Sequence, residues 1–249
     1  MKLLKLLVVI FALATLSSCT TAPLVVSSMP PAPVYKPPPE IIMRHDITHV
    51  VAPGETLWRI SKTYDVTIEN IMYANGLGSN TIEMGQSLLI PRAMPATPVI
   101  SLYPTNKWKY IIIHHSATDV GNALSFYNSH KRRGFIKGLG YHFVIDNGSS
   151  GKPDGYIEIS PRWIKQENGA HCKAGSMNYN GIGICLVGNF SKERVSQRQL
   201  TSLVYLVDIL RKYYKIPIRD ILGHGSVPGA RTECPGSNFP WKQFLNRLK

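Results

Sequence analysis

The chain has 249 residues, 44% of them apolar and 17% charged, which suffices for a buried core and excludes general disorder. Its 28 Lys and Arg against 15 Asp and Glu give a net charge of +13, which predicts an anionic partner without choosing among nucleic acid, membrane and acidic polymer. After the N-terminal leader no stretch reaches 18 unbroken apolar residues, so a multi-span membrane protein is excluded, and four cysteines are too few for a disulfide framework.

Met1-Lys2-Leu3-Leu4-Lys5 is a basic start, followed by an apolar run from Leu6 to Leu16. These are the parts of a secretory signal peptide, with an apolar run too short to span a bilayer stably. Its end, Leu16-Ser17-Ser18-Cys19, resembles the bacterial lipobox. That resemblance implies removal of residues 1–18, acylation of Cys19, and a lipid anchor in the membrane. Thr20 rather than Asp after it implies sorting to the outer membrane, with the protein facing the periplasm. Export in turn argues against nucleic acid as the anionic partner and for cell wall.

Residues 19–47 read as a tether. Seven prolines (Pro23, Pro30, Pro31, Pro33, Pro37, Pro38 and Pro39) deny regular hydrogen bonding and favour extended chain. Residues 48–92 then form a small unit. Val50-Val51 reads as a strand and Pro53-Gly54 as a turn. Thr56 caps a helix carrying Leu57, Trp58, Ile60 and Tyr64, and Thr67 caps a second with Ile68, Ile71 and Met72. Leu88-Leu89-Ile90 closes the unit as a strand, for an order βααβ, with Leu57 and Trp58 expected in its core. His49 to Ile60, Ile71 to Leu77 and Ile82 to Pro91 resemble the beginning, middle and end of a LysM domain. The resemblance implies binding to the N-acetylglucosamine-containing glycan of peptidoglycan.

Residues 93–106, with Pro95, Pro98 and Pro104, read as a second linker. Residues 107–249 hold the basic character, 21 Lys and Arg against 9 Asp and Glu, whereas residues 48–92 carry 3 against 4. Tyr110–His115 is an apolar run fit for a buried strand, 122–133 has helical character, 141–146 is a second strand and 181–188 a third. Ser196 with Gln199 forms a capping box. After it Leu200, Leu203, Val204, Val207, Leu210 and Tyr214 fall at helical spacing, and 240–249 reads as a terminal helix. Strands mixed with helices predict an α/β domain, one mixed central sheet with flanking helices.

Several polar residues do not fit that plan. His114 and His115 end a hydrophobic strand, where alternation lets only one face a given site. His142, His171, Cys172, His224 and Cys234 lie in or beside glycine-rich segments. Imidazole and thiolate ligands gathered from such elements suit zinc, but no local spacing forces that reading. On residue types alone, a metal site and scattered structural histidines both remain open. Cys172 and Cys185 could form a disulfide or stay free.

Ile111-Ile112-Ile113-His114-His115-Ser116-Ala117-Thr118 resembles the first motif of the amidase-2 family, which contains N-acetylmuramoyl-L-alanine amidases, phage amidase-type lysozymes and peptidoglycan recognition proteins. Residues 140–146, 169–171, 181–190, 223–224 and 232–236 match its later motifs in order. The resemblance implies a zinc-dependent amidase of this family's fold, cutting between N-acetylmuramic acid and L-alanine of the stem peptide. It implies one Zn2+ held by His114, His224 and Cys234, with Tyr141 donating to the developing oxyanion and Thr232 orienting water or substrate. His171 is expected to contact substrate or to pass a proton. The family's non-hydrolysing recognition proteins typically lack the cysteine; its presence here favours an enzyme over a non-catalytic peptidoglycan-binding lipoprotein. One branch of the family carries Glu where this chain has Cys185, so the identity of the base stays open.

Overall fold

The computed structural model describes residues 43–249. The leader, Cys19 and most of the tether lie outside the described residues. Among the described residues no helix is long and apolar enough to cross a membrane.

The N-terminal module is β1 (His45–Val50), α1 (Leu57–Tyr64), α2 (Ile68–Ala74) and β2 (Ser87–Ala93), with β1 and β2 antiparallel. β1 opens five residues before the expected strand at Val50-Val51 and three before the expected start of the unit, inside what reads in sequence as tether. Thr56 and Thr67 cap the two helices, each hydroxyl accepting an N–H three residues on. Leu57, Ile60, Tyr64, Ile71, Leu88 and Ile90 fill the core. Trp58 does not join them: it is 50% exposed. Successive residues on a helix point about 100° apart, and the stripe from Leu57 through Ile60 to Tyr64 takes the inward face.

The second domain is built on a five-stranded sheet in the order β5-β4-β6-β3-β7. Its strands are β3 (Tyr110–His115), β4 (Phe143–Asn147), β5 (Asp154–Ile159), β6 (Gly181–Leu186) and β7 (Ile221–Gly223). β4, β6, β3 and β7 run parallel; β5 pairs antiparallel with β4. Between them lie α3 (Ala123–Arg132), the short α4 (Pro161–Ile164) and α5 (Met177–Asn180), then α6 (Gln197–Tyr214) and α7 (Trp241–Asn246). Both halves of the Ser196–Gln199 capping box are formed. Alternation divides the sheet. Ile111, Ile113, Ile145, Ile157, Ile182 and Ile184 pack with Leu200, Leu203, Val207 and Leu210 of α6 in the main core. His114, Cys185, Val144 and Glu158 occupy register positions of the opposite parity.

The segment between the two units is a packed strap. Met94 and Thr97 donate backbone bonds to the carbonyls of Tyr64 and Thr63 in the module, at 2.9 and 2.8 Å. Ile100, Leu102 and Tyr103 pack on the main core, and Trp163 Nε1 donates to Ser101 O at 2.8 Å. A buried polar cluster joins the units directly. Lys152, 4% exposed, donates to Val50 O at 2.8 Å and sits 3.0 Å from His49 Nε2. His49 Nε2 also lies 2.8 Å from Glu55 Oε2, which accepts the Ala52 N–H at 2.8 Å. Burial raises the Glu55 carboxyl, but His49, Lys152 and the Ala52 N–H outweigh it and hold the group at about 2.

Beyond Lys152, Asp146 and Glu158 are both buried, and both Asp146 oxygens and Glu158 Oε2 lack any donor among the described residues. Burial and mutual repulsion push the Asp146 carboxyl well above its usual range, and burial chiefly raises Glu158. One proton shared between the two accounts for both observations.

Candidate metal centre

β3 ends at His114, 1% exposed, and the register pairs Ile113 with Gly223 of β7. The residues that follow, His114 and His224, therefore stand side by side, their ring centroids 4.7 Å apart. A loop brings the third group: Gly225 N donates to Cys234 O at 2.7 Å, clamping the histidine turn to the cysteine. Only glycine allows that approach, because a Cβ at position 225 would overlap the Thr232 carbonyl. Cys234 Sγ lies 3.7 Å from His114 Nδ1 and accepts the His115 N–H at 3.3 Å. One ligand atom from each of His114, His224 and Cys234 falls within 4.8 Å of the other two.

Two imidazoles and a thiol suit a borderline-soft ion, and three protein donors with one open side match the pattern of a catalytic rather than a structural zinc site. Burial holds the His114 imidazole well below its usual pKa, with the His171 and His224 rings adding to the effect, so a lone pair is available. Burial also pushes the Cys234 thiol up to about 12. Its deprotonation at neutral pH therefore requires a cation beside it.

The open side faces a cleft of about 280 Å³ whose lining includes Tyr141, His130, Arg133, Phe135 and Thr232, and no carboxylate. A larger cavity of about 670 Å³ lies where the module meets β5 and α6, but among the described residues no trio of metal-ligating side chains gathers there; the chemistry points to the smaller cleft. Tyr141 packs 5.2 Å from the His114 ring, centroid to centroid. Burial raises its hydroxyl pKa far above the ordinary value, with the Cys185 and Cys234 thiols adding to the effect, so the group stays a donor. Thr232 Oγ1 accepts the Cys234 N–H at 3.2 Å, which holds the ligand loop and leaves its own proton free.

His171 lines the same cleft and touches a member of the trio. Its Nδ1 lies 3.1 Å from His114 Nε2, and its Nε2 lies 3.2 Å from Gly181 O. Both nitrogens have partners in the protein, one of them His114, and the ring also lines the cleft. Alternation likewise turns His115 and His142 to structural use: His115 Nδ1 accepts the Phe190 N–H, and His142 bridges Gly183 N and Glu167 O. Cys172 and Cys185 are buried and unbridged. His130 and Arg133, at the end of α3, line the cleft although nothing in their spacing marks them; only the fold brings that helix end to the site.

Residues 104–237 match the family model described as N-acetylmuramoyl-L-alanine amidase, and residues 49–91 match that of the LysM domain. The probable endopeptidase p60 of Listeria monocytogenes is 39% identical over 59 residues, which span 23% of this chain and 12% of that protein's length. Among solved structures, the endolysin N-acetylmuramoyl-L-alanine amidase LysCS of Clostridium intestinale is 33% identical, covering 60% of this chain and 92% of its own, with a TM-score of 0.49. Wild-type Drosophila PGRP-LB is 25% identical, covering 53% and 76%, with a TM-score of 0.41.

Proposed function

Because the chain belongs to the N-acetylmuramoyl-L-alanine amidase family, we propose that it is a zinc-dependent peptidoglycan amidase that hydrolyses the bond between N-acetylmuramic acid and L-alanine. The observation that carries this reading is the convergence of His114, His224 and Cys234 within 4.8 Å at the floor of an open cleft. One Zn2+ would be held by those three residues. When bound it supplies a Lewis acid that polarises the scissile carbonyl and acidifies water at the open position.

The chain's own groups do the rest. Tyr141 keeps its proton and donates a hydrogen bond to the carbonyl oxygen as that oxygen gains charge, an effect worth about 3 kcal/mol for one preorganised donor. Thr232 holds the Cys234 loop and offers its hydroxyl proton to water or substrate. The cleft presents Arg133 and no carboxylate, so an anionic stem peptide enters without like-charge repulsion. Cys185 is buried and its thiol is raised far above the ordinary value, first by burial, so it is no base at neutral pH. The proton released by water therefore leaves through solvent or with the departing amine. The LysM module binds the glycan of the same wall, and a lipid on Cys19 holds the protein at the outer membrane, facing the periplasm.

The test incubates the full-length chain with purified peptidoglycan, with and without chelator, and reads products by mass spectrometry. Free stem peptides with a new L-alanine amino terminus, lost with chelator and restored by zinc, are expected. Wall binding without cleavage at any zinc level would overturn the reading and favour a binding protein.

A further inference from the structure

The hydrogen bonds behind the metal centre run in one direction only. Gly181 O is a carbonyl and can only accept, so His171 Nε2, 3.2 Å away, carries the proton of that ring. In a neutral imidazole the other nitrogen is then bare. His171 Nδ1 therefore accepts, and the atom 3.1 Å from it, His114 Nε2, must donate. With its proton on Nε2, His114 presents a bare Nδ1, the nitrogen that lies 3.7 Å from Cys234 Sγ.

The room for this ring is built in. A Cβ on Gly183 or on Gly169 would overlap the His171 imidazole. His171 N donates to Asn178 Oδ1 at 2.8 Å, which fixes the backbone from which the ring projects. His171 is 9% exposed and His114 is 1% exposed, so water does not compete for either nitrogen of the contact.

We propose that His171 is a positioning residue for the metal: the relay Gly181 O to His171 to His114 fixes the His114 tautomer, so that Nδ1 and not Nε2 is the ligand atom. This rests on the zinc-amidase reading, but it is a statement about protons that holds in the metal-free protein. The direction of the relay also orients the His114 ring toward His224 and Cys234 before any ion arrives. A ligand oriented in this way spares the ion the cost of selecting a tautomer, and loss of such a support typically lowers metal affinity by about 10–100-fold.

The first experiment is nitrogen NMR of the histidine rings in the full-length, metal-free chain at neutral pH, with His114 assigned by its Gln variant. Protonated Nε2 and bare Nδ1 on His114 are expected; a proton on Nδ1 overturns the proposal regardless of how zinc behaves. The second measures zinc affinity by chelator competition in folded variants. His171→Ala is expected to lose about 10–100-fold in affinity and to show mixed His114 tautomers. His171→Asn, whose Oδ1 can take the place of Nδ1, should retain affinity within about threefold and keep the wild-type tautomer. Equal losses in the two variants, or none in His171→Ala, would overturn the proposal and leave the ring a packing element. Should His171→Ala fail to fold, the wild-type tautomer and the Asn variant still decide. Failure of the amidase reading would show separately, as absent cleavage by a chain that binds zinc with the expected tautomer.

Discussion

Replacing Lys152 with Met keeps the volume of the side chain and removes its charge from the junction between the two units. In the folded protein Nζ donates to Val50 O at 2.8 Å and stands 4.0 Å from Glu55 Oε2, with both side chains under one-tenth exposed. Leaving a buried carbonyl without its donor costs about 1–3 kcal/mol. The lost attraction at that separation is roughly 4 kcal/mol at an effective dielectric near 20. Against these stands the ammonium's own desolvation, several kcal/mol, which the variant no longer bears. Glu55 is not abandoned, because His49 and the Ala52 N–H still reach it. The net loss should therefore be about 2–4 kcal/mol, and the melting temperature should fall by roughly 5–15 °C. Urea unfolding at pH 7 gives the value, followed by far-ultraviolet circular dichroism and by tryptophan fluorescence. Trp58 reports on the module, Trp108 and Trp163 on the second domain. A loss below about 1 kcal/mol would refute the reasoning, since it would mean that the ion cluster carries no stability across the junction.

Other expectations follow from the same side chains. Glu55 titrates at about 2 in the fold against 4.5 unfolded; a depressed carboxyl stabilises above its unfolded value and loses that contribution as pH falls through the folded one. Acid unfolding between about pH 4.5 and 2 should accordingly be less steep in Glu55→Gln than in wild type, and matching slopes would disprove the assignment. Asp146 is shifted the opposite way, so its ionisation opposes folding as pH rises. Asp146→Asn, able to donate to Glu158 as the shared proton does, should be at least as stable as wild type at pH 8–9, and a loss above about 1 kcal/mol there would contradict the shared proton. Tyr141→Phe should lower kcat by about 10²–10³ while zinc affinity, read by chelator competition, stays put; a wild-type kcat would remove Tyr141 from the reaction.

What the sequence made legible was whatever depends on short-range pattern. The apolar run of β3, the capping box of α6 and the two threonine caps of the module each rest on a few adjacent residues, and each is formed as expected. β5 was missed because Asp154-Gly155-Tyr156-Ile157-Glu158-Ile159 carries a glycine and two acids, yet it is buried almost throughout. Tertiary burial of Glu158 beside Asp146 overrides its local propensity. β7 is three residues long, too short to leave a periodic signal. At the site, the trio of His114, His224 and Cys234 followed from motif resemblance and is brought together in space. The task of His171 was not legible, because it depends on which ring nitrogen faces which neighbour across 57 positions of chain. The apolar character of Trp58 points to the core, but the helical spacing of Leu57, Ile60 and Tyr64 already turns it outward.

The strap from Ala93 to Asn106 changes what wall binding can accomplish. On a slack connector, a captured glycan merely crowds substrate around the enzyme, and the benefit falls away smoothly as the connector lengthens. Here Met94, Thr97, Ser101 and Tyr103 are each bonded down, and Lys152 pins the module from the other side. The distance from module to cleft is then a constant of the molecule. If the module grips one sugar repeat, as proposed, it would select which neighbouring stem peptide lies over the cleft, and a strand whose pitch places none there would go uncut, however tightly it is held. An amidase built this way would act as a gauge, and the spacing of its cuts should record the geometry of the wall.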